Sequence, residues 1–289
     1  MKKFVIFTDS TADLPVDFIN RHKIEIIPLY YNMEDKVYGG DEDLEAGVFY
    51  EKMRTGIMPT TMASNPEFIA EKYSEYITQG IDILHIAFSS ALSGSCNNAF
   101  ITARELSEEN PSIKIVTIDS LAASMGQGLL VYKAVTMMEA GKTIEETAEY
   151  IEEIKLNLCH QFTVEDLNHL HRGGRVSKTA AIIGTMINLK PILHVDDEGR
   201  LTPLQNVRGR KKSLNTLVDN MENLMGRFRD QNDMIMISHG DSLEDANYVA
   251  ELIRQRFNIQ DIMINYVCPT IGAHSGPGTI ALFFLGEKR

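Results

Sequence analysis

Short apolar runs alternate with stretches of helical spacing through the first half of the chain. Four runs predict buried strands, at Phe4–Phe7, Ile24–Tyr31, Ile81–Phe88 and Ile113–Ile118. Helices are predicted at Leu44–Arg54, Pro66–Gln79, Ala122–Ala140 and Ile144–Leu158, with a further helix that ends near Glu109. Asn65 and Pro66 form a typical helix start, an N-cap residue followed by proline. This alternation predicts a parallel sheet with helices on both faces, a three-layer α/β/α domain.

The second half mixes a hairpin pattern with strand–helix units. Strands are predicted at Gln161–Val164, Pro191–Val195, Arg200–Pro203, Met234–Ser238, Asp261–Val267 and Ile280–Leu285. Helices are predicted at Glu165–His171, Lys178–Ile187, Leu214–Phe228 and Leu243–Arg256. The turn sequence Asp196–Gly199 joins two of the strands as a hairpin, so the second sheet is predicted to be mixed. We therefore expect two α/β domains, residues 1–158 and 159–289, although no glycine- or proline-rich linker marks the boundary.

Composition and charge narrow the class of protein. The 289 residues carry a net charge of −12, which argues against a broad nucleic-acid surface. The basic run Arg208–Lys212 keeps a regulatory or nucleic-acid-binding role open, although a loop and a solvated helix start explain it more simply. Three dispersed cysteines with no CxxC pair predict neither a zinc site nor a disulfide framework, and they fit a reducing cytoplasm. No apolar run suits a signal peptide or a membrane span.

Polar loops follow several predicted strands, where ligands of open α/β sheets bind. These loops are Thr8–Thr11, Ser89–Ser95 and Asp119-Ser120, and a fourth polar loop, Pro59–Ser64, is predicted between two helices. In the first loop, Ser10 or Thr11 is expected to cap a helix, with Asp13 in its first turn. Asp119 is expected to be a structural acceptor for neighbouring loops.

The serine-rich loop allows three interpretations. Ser93-Gly94 opens a predicted helix, whose free N–H groups can bind a carboxylate or a phosphate, with Thr61 as a second hydroxyl donor. Plain helix capping explains the same residues. A nucleophile at Ser93 or Ser90 is the third interpretation, but the chain lacks the G-x-S-x-G signature and offers no obvious base.

Other glycine-rich segments are candidates for phosphate or cofactor binding. Gly126-Gln127-Gly128 matches a dinucleotide fingerprint poorly, and two small packing residues in a helix explain it better. The chain contains no P-loop motif and no calcium-loop spacing. Arg172, Arg175 and His274 flank glycines in "LHRGGRVS" and "GAHSGPGT", which makes them candidates for contact with a phosphate.

Six segments appear in an order that resembles the DegV family of bacterial fatty-acid-binding proteins. They are "FTDSTADLP", "SSALSGS", "FTVEDLNHLHRGGRVS", "NLKPIL", "VRGRKKS" and "IGAHSGPGT", and together they span nearly the whole chain. The resemblance implies two α/β domains with a long-chain fatty acid in an apolar tunnel between them. It also implies a carrier subunit of a bacterial fatty acid kinase, whose separate ATP-dependent subunit phosphorylates the bound acid for phospholipid synthesis. Transient contact with a membrane surface is compatible with that role.

The resemblance assigns residues to the two ends of such a ligand. Thr61, Ser93 and the Gly94 amide would bind the carboxylate. Arg175, Arg208 and His274 match positively charged groups near the head-group opening or facing the kinase, and Arg172 is their neighbour. The family usually follows the threonine with Ser-Gln, whereas this chain has Met62-Ala63, so the hydrogen-bond pattern at the head group and the preferred acid are expected to differ.

These residue types suit a fatty acid. A 16-carbon tail supplies on the order of 10 kcal/mol at about 0.8 kcal/mol per buried CH₂, before the costs of binding. Fourteen methionines and twelve phenylalanines can line a tunnel, although most must be ordinary core. Uncharged donors satisfy a carboxylate and leave it reactive toward ATP. We therefore expect a lipid carrier without a catalytic centre, metal or cofactor.

An acyl hydrolase or transferase that uses Ser93 or Ser90 is the alternative, and acyl length, saturation, the kinase partner and the oligomeric state stay open.

Overall fold

A computed structural model describes residues 3–40, 42–177 and 188–289 of the chain. The helix predicted at Lys178–Ile187 lies outside these residues. The strands are β1 (Phe4–Asp9), β2 (Glu25–Ile27), β3 (Tyr30–Met33), β4 (Lys36–Tyr38), β5 (Thr60–Met62), β6 (Asp82–Ala87), β7 (Ile115–Asp119), β8 (Leu158–Thr163), β9 (Leu189–Val195), β10 (Leu201–Arg208), β11 (Ile235–His239), β12 (Ile262–Tyr266) and β13 (Ile280–Leu285). The helices are α1 (Val16–His22), α2 (Ala46–Arg54), α3 (Pro66–Ile77), α4 (Ser95–Glu109), α5 (Met125–Glu139), α6 (Ile144–Ile154), α7 (Leu167–Arg172), α8 (Arg210–Met225), α9 (Leu243–Phe257) and α10 (Pro269–Ser275).

The N-terminal domain is built on a parallel sheet of order β2-β1-β6-β7. All six residues of β6 are buried, because helices cover both faces of the sheet. Ile6 and Leu84 pack on one face, in a cluster that α5 and α6 share. Val5 and Ile83 pack on the other face, against residues of α3 and α4. The predicted parallel sheet with two covered faces is confirmed.

The C-terminal domain is built on a mixed sheet of order β10-β9-β8-β13-β11-β12. Only the β11–β12 pair is parallel among the described strands of this sheet. The predicted hairpin is present, since β9 and β10 pair antiparallel across the Asp196–Gly199 turn. The mixed sheet begins at Leu158 and takes no strand from earlier in the chain. We therefore keep 1–158 and 159–289 as the proposed domain limits.

A third, smaller sheet of order β4-β3-β5 was not predicted. The run Ile24–Tyr31 is divided at Pro28 into β2 and β3, which belong to different sheets. The segment Pro59–Ser64 is not a plain loop between helices, because it contains β5, which pairs with β3. The segment "GAHSGPGT" is also not a plain loop, because His274 lies in the last turn of α10.

Local predictions at helix ends had mixed outcomes. Asn65 caps α3 by accepting the Glu67 N–H at 2.8 Å, as predicted. The cap predicted at Ser10 or Thr11 is wrong, because α1 begins only at Val16, after Pro15. Ser10 Oγ instead accepts the N–H of Leu29 at 3.0 Å and links the loop after β1 to the segment between β2 and β3.

Two further predictions concern the loops around the sheet edge. Asp119 Oδ1 accepts the N–H groups of Ser90 (3.2 Å) and Leu121 (3.0 Å), so it is the predicted loop acceptor. Gly126 and Gly128 are packing residues at the start of α5: a Cβ on Gly126 would lie 2.3 Å from His160 Nε2.

No helix of the described residues is long and apolar enough to cross a bilayer.

Candidate ligand-binding site

A cavity of about 170 Å³ lies between the parallel sheet and the mixed sheet, with walls from both domains. Its apolar lining is contributed by Leu29, Phe88, Leu92 and Ala123 of the first domain, and by Phe162, Leu170, Val195, Leu201, Val267, Ile271, Ala281 and Phe283 of the second. Thr61, Ser93, Arg175 and His274 form one part of this wall, which we call the polar end. Five more polar residues also line the cavity: Ser124, His160, Thr270, Ser275 and Thr279.

Thr61 and His274 meet at the polar end across the domain boundary. Thr61 Oγ1 lies 2.9 Å from His274 Nε2. Thr61 and Met62 of β5 line the cavity, whereas Thr60 is exposed and does not. Burial, and then the nearby positive charge of Arg175, lower the pKa of His274 to about 4. His274 is therefore neutral at physiological pH, and either group can donate in this hydrogen bond.

Gly173 determines where the His274 ring can lie. A Cβ at this position would be 1.9 Å from His274 Nδ1, which has no hydrogen-bond partner among the described residues. The φ angle of Gly173 is −71°, so alanine is excluded here by contact and not by backbone strain. The glycine in "RGGR" thus lets the imidazole pack directly on the backbone after α7.

Replacing Gly173 by alanine is expected to displace the His274 ring and lower the free energy of unfolding by about 1–3 kcal/mol, a typical cost of overpacking. Urea denaturation measures this change. Gly94→Ala is the matched control, because Gly94 has φ −69° and nothing within 4 Å of its Cβ position. A Gly173→Ala variant as stable as Gly94→Ala would contradict the packing.

Ser93 and Gly94 lie at the start of α4, beside Ser95. Ser95 Oγ accepts the Ser64 N–H at 3.0 Å and lies 3.0 Å from Ser93 Oγ. Ser93 Oγ also accepts the Ser95 N–H at 3.2 Å. If the Ser95 hydroxyl donates to Ser93, both hydroxyls are satisfied as acceptors and the Ser93 proton remains free to face the cavity. Sequence reasoning missed Ser95, whose role depends on a contact with the loop before α3.

Arg175 links the two domains beside this polar end. Its Nε and Nη2 donate to the Leu92 carbonyl at 3.1 and 2.8 Å, and its Nη1 donates to the Gly173 carbonyl at 2.5 Å. Burial lowers the pKa of Arg175, but an arginine remains cationic at physiological pH. The guanidinium therefore positions the serine-rich loop and also places a positive charge at the cavity wall.

Comparison with known proteins agrees with this architecture. The family described as "Uncharacterised protein, DegV family" matches residues 3–287. This chain belongs to the DegV family. A DegV domain-containing protein of Clostridium perfringens is 46% identical to it over 291 residues, which cover 100% of this chain and 99% of that protein.

Solved DegV structures share the fold over the whole chain. A Thermus thermophilus DegV family protein, described by its fatty acid binding, has a TM-score of 0.87 at 27% identity, over 98% of this chain and 99% of that one. DegV from Bacillus subtilis, described as a fatty acid binding protein, has a TM-score of 0.85 at 26% identity, over 99% of this chain and 100% of that one. The two α/β domains, one with a parallel and one with a mixed sheet, are thus those of DegV proteins.

The remaining predicted site residues of this DegV chain lie away from the cavity wall. Arg172 is exposed, and its Nη2 lies 2.8 Å from His169 Nδ1. Arg208 is exposed at the end of β10. Arg210, in the same basic run, is a structural residue that donates to Asp245 at 2.8 Å. Neither Arg172 nor Arg208 is part of the cavity lining, whereas Thr61, Ser93, Gly94, Arg175 and His274 all are.

The departure from the family pattern lies at the same end of the cavity. Met62 and Ala63 both line it, and Met62 is 43% exposed. An apolar side chain therefore stands beside Thr61 at the cavity mouth. Neither the Met62 nor the Ala63 side chain can donate a hydrogen bond at this end of the cavity.

The geometry does not favour a serine nucleophile in this DegV protein. The hydrogen bonds of Ser93 Oγ within the described residues go to Ser95, and neither partner is a base. Ser90 is exposed and does not line the cavity. His274 is neutral, as a base requires, but its Nε2 is bonded to Thr61. Among the described residues, no cluster of three or more His, Cys, Asp or Glu side chains could hold a metal ion.

Proposed function

We propose that this protein binds a long-chain fatty acid in the interdomain cavity, with the carboxylate at Thr61, Ser93 and the Gly94 amide. The cavity carries this proposal, because the hydroxyl donors Thr61 and Ser93 belong to a wall that is otherwise mostly apolar. The fatty-acid-binding descriptions of DegV structures from Thermus thermophilus and Bacillus subtilis support it.

The hydrogen-bond directions suit a carboxylate. Thr61 can donate to it while accepting from His274 Nε2–H, which leaves only a lone pair on Nδ1 against Gly173. The Ser93 proton is free in the arrangement described above. Gly94 lies at the N-terminus of the fifteen-residue helix α4, and no atom lies within 4 Å of its Cβ position. A carboxylate can therefore approach the backbone N–H groups there, where the helix dipole favours a negative charge.

We also propose that the bound acid is presented to a separate ATP-dependent kinase subunit. A carboxylate oxygen attacks the γ-phosphorus of ATP, ADP leaves, and the acyl phosphate passes to phospholipid synthesis. The absence of a P-loop motif from the sequence is in keeping with a carrier that relies on another subunit. Arg172 and Arg208, which are exposed, stay predicted as kinase-facing residues. A cytoplasmic location and transient contact with a membrane surface belong to the same proposal.

Extraction of the purified protein with organic solvent, followed by mass spectrometry, tests the proposal directly. We expect about one long-chain fatty acid per chain. Recovery of no acyl ligand, together with no binding of added stearate or oleate to the protein, would refute it. A mixture with the candidate kinase and ATP then tests acyl phosphate formation separately.

Filling the cavity should exclude the ligand without unfolding the protein. Ala281 is buried on β13 and lines the cavity, so Ala281→Phe places a ring where the acyl chain would lie. We expect fatty acid recovery to fall by about tenfold or more, since several CH₂ groups lose their site at about 0.8 kcal/mol each. Ala140→Phe, at the exposed end of α5, is the control. Equal recovery from both variants would place the acyl chain elsewhere.

A further inference from the structure

Two methionines of the described residues are exposed, and they lie on either side of Thr61 in the sequence. Met58 is 45% exposed and Met62 is 43% exposed. Met62 lines the cavity, whereas Met58 does not. Met62 therefore combines a side chain that solvent reaches with a place in the cavity wall, directly after a proposed head-group donor.

The smaller sheet fixes the position of Met62. The strand β5 is an edge strand that pairs with β3, and Met62 lies opposite Tyr30 in this pair. The residue before it, Thr61, has its Oγ1 2.9 Å from His274 Nε2. Because the Met62 side chain is largely outside the core, a change in its polarity acts on the cavity mouth and leaves the packing of the two domains intact.

The cysteines of the chain compete poorly for an oxidant. The thiolate is the form of cysteine that reacts with peroxides. Burial raises the pKa of Cys159 to about 12, and it also raises the pKa of Cys96 and of Cys268. All three therefore remain thiols at physiological pH. A thioether has no proton to lose, so its exposure decides whether a peroxide reaches it.

We propose that Met62 is an oxidation site through which a peroxide weakens fatty acid binding. A lone pair of the thioether sulfur attacks one oxygen of hydrogen peroxide and the O–O bond breaks. The sulfur is oxidised by two electrons to the sulfoxide, and the other oxygen leaves with both protons as water. This inference rests on the proposed function, since it concerns the same cavity.

The product is poorly suited to a fatty acid head group. A sulfoxide is polar, and its oxygen accepts hydrogen bonds but donates none. Oxidation of Met62 therefore replaces an apolar group at the mouth by an acceptor, beside the site proposed for a carboxylate that is itself only an acceptor. The apolar surface that the mouth offers to the first methylene groups of the acid is lost at the same time.

Peroxide treatment of the delipidated full-length protein tests the site. Cleavage after Arg54 and Lys72 releases one peptide that carries both exposed methionines, so tandem mass spectrometry measures the oxygen added to each. We expect both to be oxidised well before Met236, which has no exposed surface. Reduced Met62 beside fully oxidised Met58 would overturn the inference.

The affinity for stearate, measured by displacement of a fluorescent fatty acid, tests the effect. We expect oxidised protein to bind stearate about fourfold more weakly or worse, the effect of losing the contact of at least one methylene group. Methionine sulfoxide reductases, one for each sulfoxide epimer, should restore the affinity, and a loss that they do not reverse overturns the inference. Unchanged affinity with Met62 fully oxidised also overturns it and leaves the proposed function standing. Untreated protein that binds neither stearate nor oleate overturns the proposed function itself.

Two leucine variants assign the loss to one sulfur. Met62→Leu has an apolar side chain that peroxide does not oxidise and keeps all three cysteines, so its affinities before and after treatment should be equal. Met58→Leu is the matched control, because it removes the other exposed sulfur and should still lose affinity after treatment. A peroxide-induced loss in Met62→Leu as large as that in the wild type would assign the effect to another group and overturn the inference.

Discussion

Replacing Thr61 and Ser93 together by alanine is expected to weaken fatty acid binding by about a hundredfold or more. Each hydroxyl donates to an ionised carboxylate in the proposed complex, and such hydrogen bonds contribute about 1.5–3 kcal/mol each. The loss should exceed that of either single variant, because the two donors come from different segments, β5 and the start of α4. Fatty acid recovered from the purified variant, and its dissociation constant for stearate, measure the effect.

The matched control is the double variant Thr60→Ala, Ser90→Ala. Both residues are exposed neighbours of the proposed donors and neither lines the cavity. The control should retain its lipid. It also addresses the hydrolase alternative, since Ser90 was one of the two candidate nucleophiles. Unchanged lipid occupancy in the Thr61, Ser93 variant would move the carboxylate to another part of the cavity.

The core of the fold could be predicted because its strands are buried on both sides. A strand such as β6, with every residue buried, gives a continuous apolar run that is visible in the sequence. The strand β5 was missed because it is three residues long, contains two threonines and is stabilised by pairing with β3. The helix α10 was missed because Gly272 within it and the glycines that follow it resemble a loop. Gly272 is needed there for packing, since a Cβ would lie 2.5 Å from the Tyr50 hydroxyl oxygen.

The candidate site could be predicted only in part from residue types. The serine-rich loop was recognisable, because hydroxyls and a glycine precede a helix directly after a buried strand. Residue types offered Thr61 only as a second hydroxyl donor beside Ser93, and the family resemblance added its role at the carboxylate. Nothing in its local sequence indicates that β5 brings it to His274. The contacts of Arg175 with two backbone carbonyls depend on the tertiary fold, and no local pattern distinguishes it from exposed Arg172.

Asp13 is a buried carboxyl at the domain interface that the sequence placed wrongly in a first helical turn. It accepts the Cys268 N–H of the second domain at 3.0 Å, and its other oxygen is hydrogen-bonded to Ser124 Oγ. Burial raises its pKa from 3.8 to about 7, and the hydrogen bonds from Ser124 and Cys268 only partly oppose this. A protonated Asp13 can donate to Ser124 Oγ, which leaves the Ser124 hydroxyl proton for Ser238 at 2.8 Å. The protonated form therefore completes this chain of hydrogen bonds between the domains.

The raised pKa of Asp13 predicts that the protein loses stability as the pH rises from about 4 to about 7. In this range the unfolded chain ionises the carboxyl and the folded protein keeps it protonated, so unfolding is favoured progressively, by up to about 4 kcal/mol. Asp13→Asn should remove this dependence, because asparagine tolerates the φ of 53° and its amide can donate to Ser124. Urea denaturation at pH 5 and pH 8 should show the variant more stable than the wild type at both values, with an advantage that grows by on the order of 3 kcal/mol from the lower pH to the higher. Asp35→Asn, an exposed residue at φ 61°, should keep the wild-type dependence. Parallel stabilities of the wild type and Asp13→Asn at both pH values would show that the carboxyl is already ionised in the folded protein.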